Sequence, residues 1–228
     1  YESGMFKVAL AGYTNAGKSS LLNRLTNADV LAYDKLFATL DSTTRKFELP
    51  EGREITVTDT VGFIQKLPTT LIEAFKSTLD EITGADLVLH VVDASSDEYE
   101  AQIAAVEDVL GQIEAQDLLR VLVFNKCDLL DKEHFDALKA RHPQAQFVSA
   151  ATGEGISELV GHIARVASAQ DEHLAIVIPY NRGDLVSLAH ERCHILSEKH
   201  EEDGTHLVML AAPSFAGLFR PYVAEKDR

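Results

Sequence analysis

The chain has 228 residues and a formal net charge of −15, with 46% hydrophobic and 25% charged residues. That length buries a full α/β core and leaves room for a small second unit. No apolar run approaches a bilayer span and no signal-peptide pattern opens the chain, while the acidic balance disfavours nonspecific nucleic-acid binding without excluding local contact with a ribonucleoprotein. Two cysteines far apart, Cys127 and Cys193, indicate a reducing compartment rather than a disulfide framework. The start Tyr1-Glu2-Ser3-Gly4-Met5 reads as a piece of something longer or a tag remnant.

From the N-terminus, Phe6-Lys7-Val8-Ala9-Leu10-Ala11 is an apolar run of strand length. Gly12-Tyr13-Thr14-Asn15-Ala16-Gly17-Lys18-Ser19 follows and fits G-x-x-x-x-G-K-[ST], and Ser20-Leu21-Leu22-Asn23-Arg24-Leu25 continues as a helix. A strand feeding a glycine-rich turn that opens a helix aims backbone N–H groups and a positive helix end at one point, which suits a phosphate. Gly12 and Gly17 allow the tight turn and the close approach. Lys18 is placed to reach β- and γ-phosphates, and the Ser19 hydroxyl to ligate Mg²⁺. A plain structural turn is the bland alternative.

Residues 54–60 read as the next strand, ending in Asp59-Thr60-Val61-Gly62. A carboxylate at the carboxyl end of such a strand can hold Mg²⁺ directly or through water, and Gly62 leaves its N–H open to a γ-phosphate. Loss of that phosphate would release the segment that follows. A helix over 69–82, a strand over 86–93 and a helix over 98–114 come next. A strand over 120–125 then runs into Asn125-Lys126-Cys127-Asp128.

This N-K-x-D pattern selects guanine. The Asp128 carboxylate accepts from the ring N–H and the exocyclic amine together, a pair adenine lacks, and a site built so rejects the wrong base by about 10⁴. Lys126 is expected to lie along the base and Asn125 to brace the phosphate loop. A helix over 131–141 leads to a strand over 145–149 and to Ser149-Ala150-Ala151, where a backbone N–H can meet the guanine oxygen. A helix over 155–168 completes an alternation that predicts a doubly wound, mostly parallel sheet covered on both faces.

Near residues 169–172 the pattern changes, dividing a domain over 1–170 from a small α+β domain over 171–228. The second is read as a strand over 174–179, a helix from Arg182-Gly183-Asp184 to about His200, the turn Glu201-Glu202-Asp203-Gly204 and a strand over 205–211. Leu185, Leu188, Ala189 and Leu196 fall at helical spacing on that helix. So small a piece is expected to pack on the main domain. On the same helix, His190-Glu191-Arg192-Cys193-His194 matches H-E-x-x-H, the zinc-peptidase pattern. Surface histidines beside a solvated Glu/Arg pair explain it better, because no third ligand follows.

Together these motifs resemble the GTPase signature set from Phe6 to Ala169. With Leu36-Phe37-Ala38-Thr39-Leu40-Asp41-Ser42-Thr43-Thr44-Arg45 and the continuation Phe63-Ile64, the wording is similar to the HflX family of translation-associated GTPases. The resemblance implies a P-loop fold with the nucleotide held by residues 12–20, by Phe37, Ala38, Thr39, Leu40 and Asp41, and by the later motifs. It makes Thr39 the switch I threonine, joining Ser19 and Asp59 on Mg²⁺, with Thr43 and Thr44 as alternatives. Ser42 stands where the family pattern has proline. Lys18, Thr39 and Gly62 are then the catalytic set, acting by positioning and charge.

Ras-like enzymes carry glutamine directly after the Asp-x-x-Gly glycine. Here that position is Phe63, with Gln65 two residues on, which predicts slow hydrolysis accelerated by a partner. A similar asparagine to Asn15 recruits K⁺ beside the phosphates in some GTPases; a turn-forming role is the alternative.

The expected function is Mg²⁺-dependent hydrolysis of GTP to GDP and phosphate. By resemblance, the protein is a switch on the large ribosomal subunit, able to split ribosomes under stress. By the same resemblance, members of the family carry an N-terminal domain before the GTPase domain, and the odd start is expected to reflect its absence here. A cytoplasmic monomer is expected, associated with ribosomes or membranes. The competing readings are an Era- or Obg-type ribosome-assembly GTPase, which an RNA-binding fold over 172–228 would favour, and a module that senses the GTP/GDP ratio.

Overall fold

In the computed structural model, which describes residues 5–26, 43–60 and 76–224, the first apolar run forms β1 (Phe6–Gly12). It has parallel neighbours on both sides, β3 (Glu54–Asp59) and β4 (Leu87–Asp93). Burial on both faces is why Val8, Ala9, Leu10 and Ala11 are all apolar, without alternation. The sheet runs β2-β3-β1-β4-β5-β6, with β2 at Thr43–Glu48, β5 at Arg120–Asn125 and β6 at Gln146–Phe147. β5 is parallel to both β4 and β6.

Because β3 and β4 lie on opposite sides of β1, the connections diverge there and open a crevice beyond its carboxyl end. The phosphate loop begins at that point. β2, unforeseen in the sequence, is a half-exposed edge strand of polar composition, Thr43-Thr44-Arg45-Lys46-Phe47-Glu48. A tight turn links it to β3, with Gly52 at φ +98°. β6 is shorter than the five residues expected.

Helices α1 (Lys18–Thr26), α2 (Lys76–Thr83), α3 (Tyr99–Gln112), α4 (Lys132–Arg141) and α5 (Ile156–Ser168) separate the strands. α4 starts where Asp131 accepts from His134 N, a side-chain N-cap. Leu79 and Ile82 of α2 with Val106, Val109 and Leu110 of α3 cover Ala9, Ala11 and Val88 of the sheet. A second cluster joins Val92 and Phe124 to Leu138, with the Phe124 and Phe147 rings stacked at 5.5 Å.

The chain groups into two units, Phe6–Phe47 with Ile55–His162, and Glu48–Glu54 with Ile163 onward. The latter holds β7 (Glu172–Ile178), α6 (Gly183–Arg192), β8 (His194–Glu201), β9 (Gly204–Ala211) and α7 (Pro213–Phe219). Its sheet is antiparallel, in the order β7-β9-β8. Leu207, Met209 and Ala211 face inward at period two and meet Leu185, Ala189 and Phe219.

The helix expected to reach His200 therefore stops at Arg192. Residues from His194 to Glu201 pair across β9 instead, with Ile195 against the core and a bulge between Ile195 and Ser197. Leu196, assigned to the helical stripe by spacing, lies at that bulge and is 50% exposed. A hairpin partner on β9 supplied the hydrogen bonds that local spacing had assigned to a helix.

Candidate nucleotide site

The loop after β1 is shaped by what surrounds it. A Cβ on Gly12 would lie 2.5 Å from Val91 O, and one on Gly17 2.3 Å from Asn125 Nδ2. Gly17 also sits at φ +90°, and Asn15 at φ +67°. Only glycine fits at the first two positions, and asparagine tolerates the third better than most residues. Ala16 N donates to Tyr13 O at 3.1 Å, and the first helical bond of α1 runs from Leu21 N to Gly17 O at 2.9 Å. The N–H groups of Lys18, Ser19 and Ser20 thus lie outside the helical ladder, at the positive end of α1.

Lys18 is buried beside Asp59. Burial lowers its ammonium pKa from the ordinary value, and the Asp59 carboxylate pulls it back up. Ser19 Oγ donates to Asp59 Oδ2 at 2.8 Å, so the hydroxyl of α1 and the carboxylate ending β3 meet. These are hard oxygen donors beside a phosphate-binding turn, a set that fits Mg²⁺. Thr60, buried, uses its hydroxyl to donate to Leu10 O at 2.6 Å and ties the end of β3 to β1.

Asn125 is 2% exposed and bridges the two ends of the site. Its Nδ2 donates to Ala16 O at 3.0 Å, while its Oδ1 accepts from Ala150 N at 3.0 Å. Lys126, at φ +62°, donates from Nζ to Asn15 O at 2.9 Å and pairs with Asp93 Oδ2 at 3.3 Å. Asp128 Oδ1 accepts from Ser149 Oγ at 2.8 Å. Cys127 points away from the ligand side into the second cluster, and burial pushes its thiol up to about 11.

The phosphate turn, Asp59, the Asn125–Asp128 motif and the Ser149–Ala151 turn are thus gathered at the carboxyl ends of β1, β3 and β5. Phe37, Ala38, Thr39, Leu40, Asp41, Val61 and Gly62 lie outside the described residues, as do Phe63 and Gln65. Two residues that bond to these turns and motifs were not singled out in the sequence. Asp93 ends β4 as Asp59 ends β3, a placement that could have marked it. Arg24, on α1, belongs to no motif and carried no signal.

The H-E-x-x-H pattern does not form a helical pair. His190 is on α6 and His194 opens β8, and among the described residues no group of three His, Cys, Asp or Glu is arranged for a metal. His190 Nε2 instead lies 2.9 Å from Glu198 Oε2.

Two family models match the chain. Residues 7–126 match the 50S ribosome-binding GTPase model, and residues 137–214 match the HflX C-terminal domain model. The chain belongs to the HflX family of GTPases. It is 41% identical over 213 residues to GTPase HflX of Magnetococcus marinus, covering 93% of this chain and 49% of that protein. It is 45% identical over 196 residues to GTPase HflX of Lacrimispora saccharolytica, covering 86% and 46% respectively.

The chain therefore spans about half the length of the curated HflX relatives it matches. Among solved structures, Era in complex with MgGDPNP and nucleotides 1506–1542 of 16S ribosomal RNA matches with a TM-score of 0.56 and 24% identity. That match covers 72% of this chain and 57% of Era, and it shows a shared fold. The HflX C-terminal match disfavours an Era- or Obg-type assignment. No helix among the described residues is long and apolar enough to cross a membrane.

Proposed function

We propose that this chain binds GTP, hydrolyses it to GDP and phosphate with Mg²⁺, and acts on the large ribosomal subunit. The observation that carries the reading is Asn125, whose single amide binds the phosphate turn at Ala16 and the Ala150 turn beside the base-reading carboxylate. A ligand with phosphates at one end and guanine at the other would bridge those two turns. Family membership and the description of the 50S ribosome-binding GTPase model support the ribosomal partner.

In this reading the N–H groups of residues 15–20 and the Lys18 ammonium hold the β- and γ-phosphates and stabilise charge as it develops on the transferring group. Ser19 and Asp59 would hold Mg²⁺, with Thr39 as the third protein ligand; when bound, the ion would supply positive charge that neutralises the phosphates. Asp128 accepts from the guanine edge, and the Gly62 N–H senses the γ-phosphate. Asn15, exposed in the loop, would offer its amide oxygen to K⁺. Phe63 leaves the attacking water without the usual glutamine, so the partner completes the site. The finer role, splitting ribosomes under stress, rests on the family resemblance. A cytoplasmic monomer with ribosome or membrane association belongs to the same reading, as does the division into domains over 1–170 and 171–228.

The test measures binding of GTP, GDP and ATP with and without Mg²⁺, followed by phosphate release with and without large ribosomal subunits. Guanine-selective, Mg²⁺-dependent binding and subunit-stimulated release are the expected result. Equal binding of ATP, or release indifferent to the subunit, would count against the corresponding half of the reading.

A further inference from the structure

The Arg24 side chain leaves the last turns of α1 and reaches a turn more than a hundred residues away. Its Nε donates to Ala150 O at 2.9 Å and its Nη2 to Ala151 O at 2.7 Å. One planar fork therefore grips two successive carbonyls, a charge-assisted geometry that fixes orientation as well as distance. The turn curls over the guanidinium: Gly153, at φ +86°, would place a Cβ 3.6 Å from Arg24 Nη1. Bonds from Ser149 N to Glu154 O at 2.9 Å and from Gly153 N to Ser149 O at 2.8 Å close the turn on itself.

The consequence follows from peptide planarity. In a trans peptide the C=O and the next N–H point in opposite directions. Drawing Ala150 O toward α1 aims Ala151 N–H away from α1. Drawing Ala151 O the same way aims Thr152 N–H at Ser149, and Thr152 N does donate to Ser149 Oγ at 3.1 Å. Ser149 Oγ in turn donates to Asp128 Oδ1 at 2.8 Å. A continuous chain of donors and acceptors thus runs from the Arg24 cation through the peptide joining Ala151 to Thr152, and through a hydroxyl, to the carboxylate of Asp128. Each member polarises the next.

We propose that Arg24 is a positioning residue for base selection, orienting Asp128 and the Ala151 N–H for the guanine edge without touching the nucleotide. This rests on the GTP-binding reading above. α1 carries Lys18 and Ser19 at one end and Arg24 near the other, so one helix sets both the phosphate grip and the base reading.

The experiment compares affinities for GDP, for inosine diphosphate, which lacks the exocyclic amine, and for ADP, in the wild type and in Arg24→Ala. The preference for GDP over inosine diphosphate is expected to fall about 10-fold in the variant, the effect of losing a charge-assisted bond. Affinity for inorganic pyrophosphate, which reads the phosphate loop alone, is expected to stay unchanged. Arg24→Lys keeps the cation but not the fork. It serves if the alanine variant does not fold, and should shift the same ratio in the same direction by less. An unchanged GDP to inosine diphosphate ratio in a folded variant overturns the proposal, even if overall affinity drops. A wild type that does not prefer GDP to ADP overturns the underlying reading instead.

Discussion

Ser19 Oγ lies 2.8 Å from Asp59 Oδ2 and donates to it, joining the first turn of α1 to the end of β3. Mg²⁺ held by these two oxygens would supply positive charge beside the buried Asp59 carboxylate. Ser19→Ala is therefore expected to weaken GTP binding in Mg²⁺ at least about 10-fold while leaving binding in EDTA nearly unchanged. Titration of a fluorescent GTP analogue in both buffers checks it; equal losses in the two would remove Ser19 from the metal site.

In the proposed reading Asp128 offers two acceptors to guanine, and Ser149 holds one of its oxygens. Asp128→Asn keeps the size but replaces one acceptor with an NH₂ donor. Xanthine, with a carbonyl where guanine has its amine, matches that donor. The wild type is expected to prefer guanine over adenine by about 10⁴, and the variant to lose most of that preference and gain affinity for xanthosine triphosphate. Competition of the three nucleotides against labelled GDP reads the change.

Much of this site was legible because each motif demands an unusual local geometry. Gly12 and Gly17 stand where a Cβ would strike Val91 O and Asn125 Nδ2, so the sequence has little freedom there. Three of the parallel strands, β1, β4 and β5, announced themselves as nearly continuous apolar runs, while β3 alternates Ile55 and Val57 with buried threonines. What was not legible depends on distant partners. β2 is polar and becomes a strand only beside β3, β8 looked helical until β9 paired with it, and Arg24 reaches the turn at Ala150 across α1. Period and motif are local signals, and these three are not.

Asn15 sits in a left-handed conformation at φ +67°, with its carbonyl held by Lys126 Nζ at 2.9 Å. If its side chain also coordinates K⁺, hydrolysis in KCl should exceed that in NaCl at equal ionic strength, and Asn15→Gly, which keeps the backbone angle, should abolish the difference. Equal rates in the two salts would leave the turn as the whole role of Asn15.

Asp171 is 4% exposed on its side chain and pairs with Arg53, whose Nη1 also donates to Ala167 O at 2.6 Å. The other Asp171 oxygen is buried without a hydrogen-bond partner among the described residues. Arg53→Met would leave an uncompensated buried charge, at a cost of about 3–5 kcal/mol. Arg53→Met combined with Asp171→Leu should recover most of that loss. Urea unfolding of the single and double variants measures both; additive losses would mean the pair contributes no specific coupling.

Burial sets the reactivity of both thiols. It pushes Cys127 and Cys193 up from 9.0 to about 11, because a thiolate is poorly solvated where they sit. The thiolate fraction near pH 8 is then about 100-fold below that of an ordinary cysteine, so alkylation should be slowed by a similar factor. Its rate should keep rising toward about pH 11, where a free thiol would already have levelled off. Linkage carries the opposite sign for stability. Above 9.0 the unfolded thiols lose protons that the folded ones retain, so stability falls as pH rises from 9.0 toward about 11. Cys127→Ala and Cys193→Ala should each flatten part of that decline, which denaturation across the alkaline range measures directly.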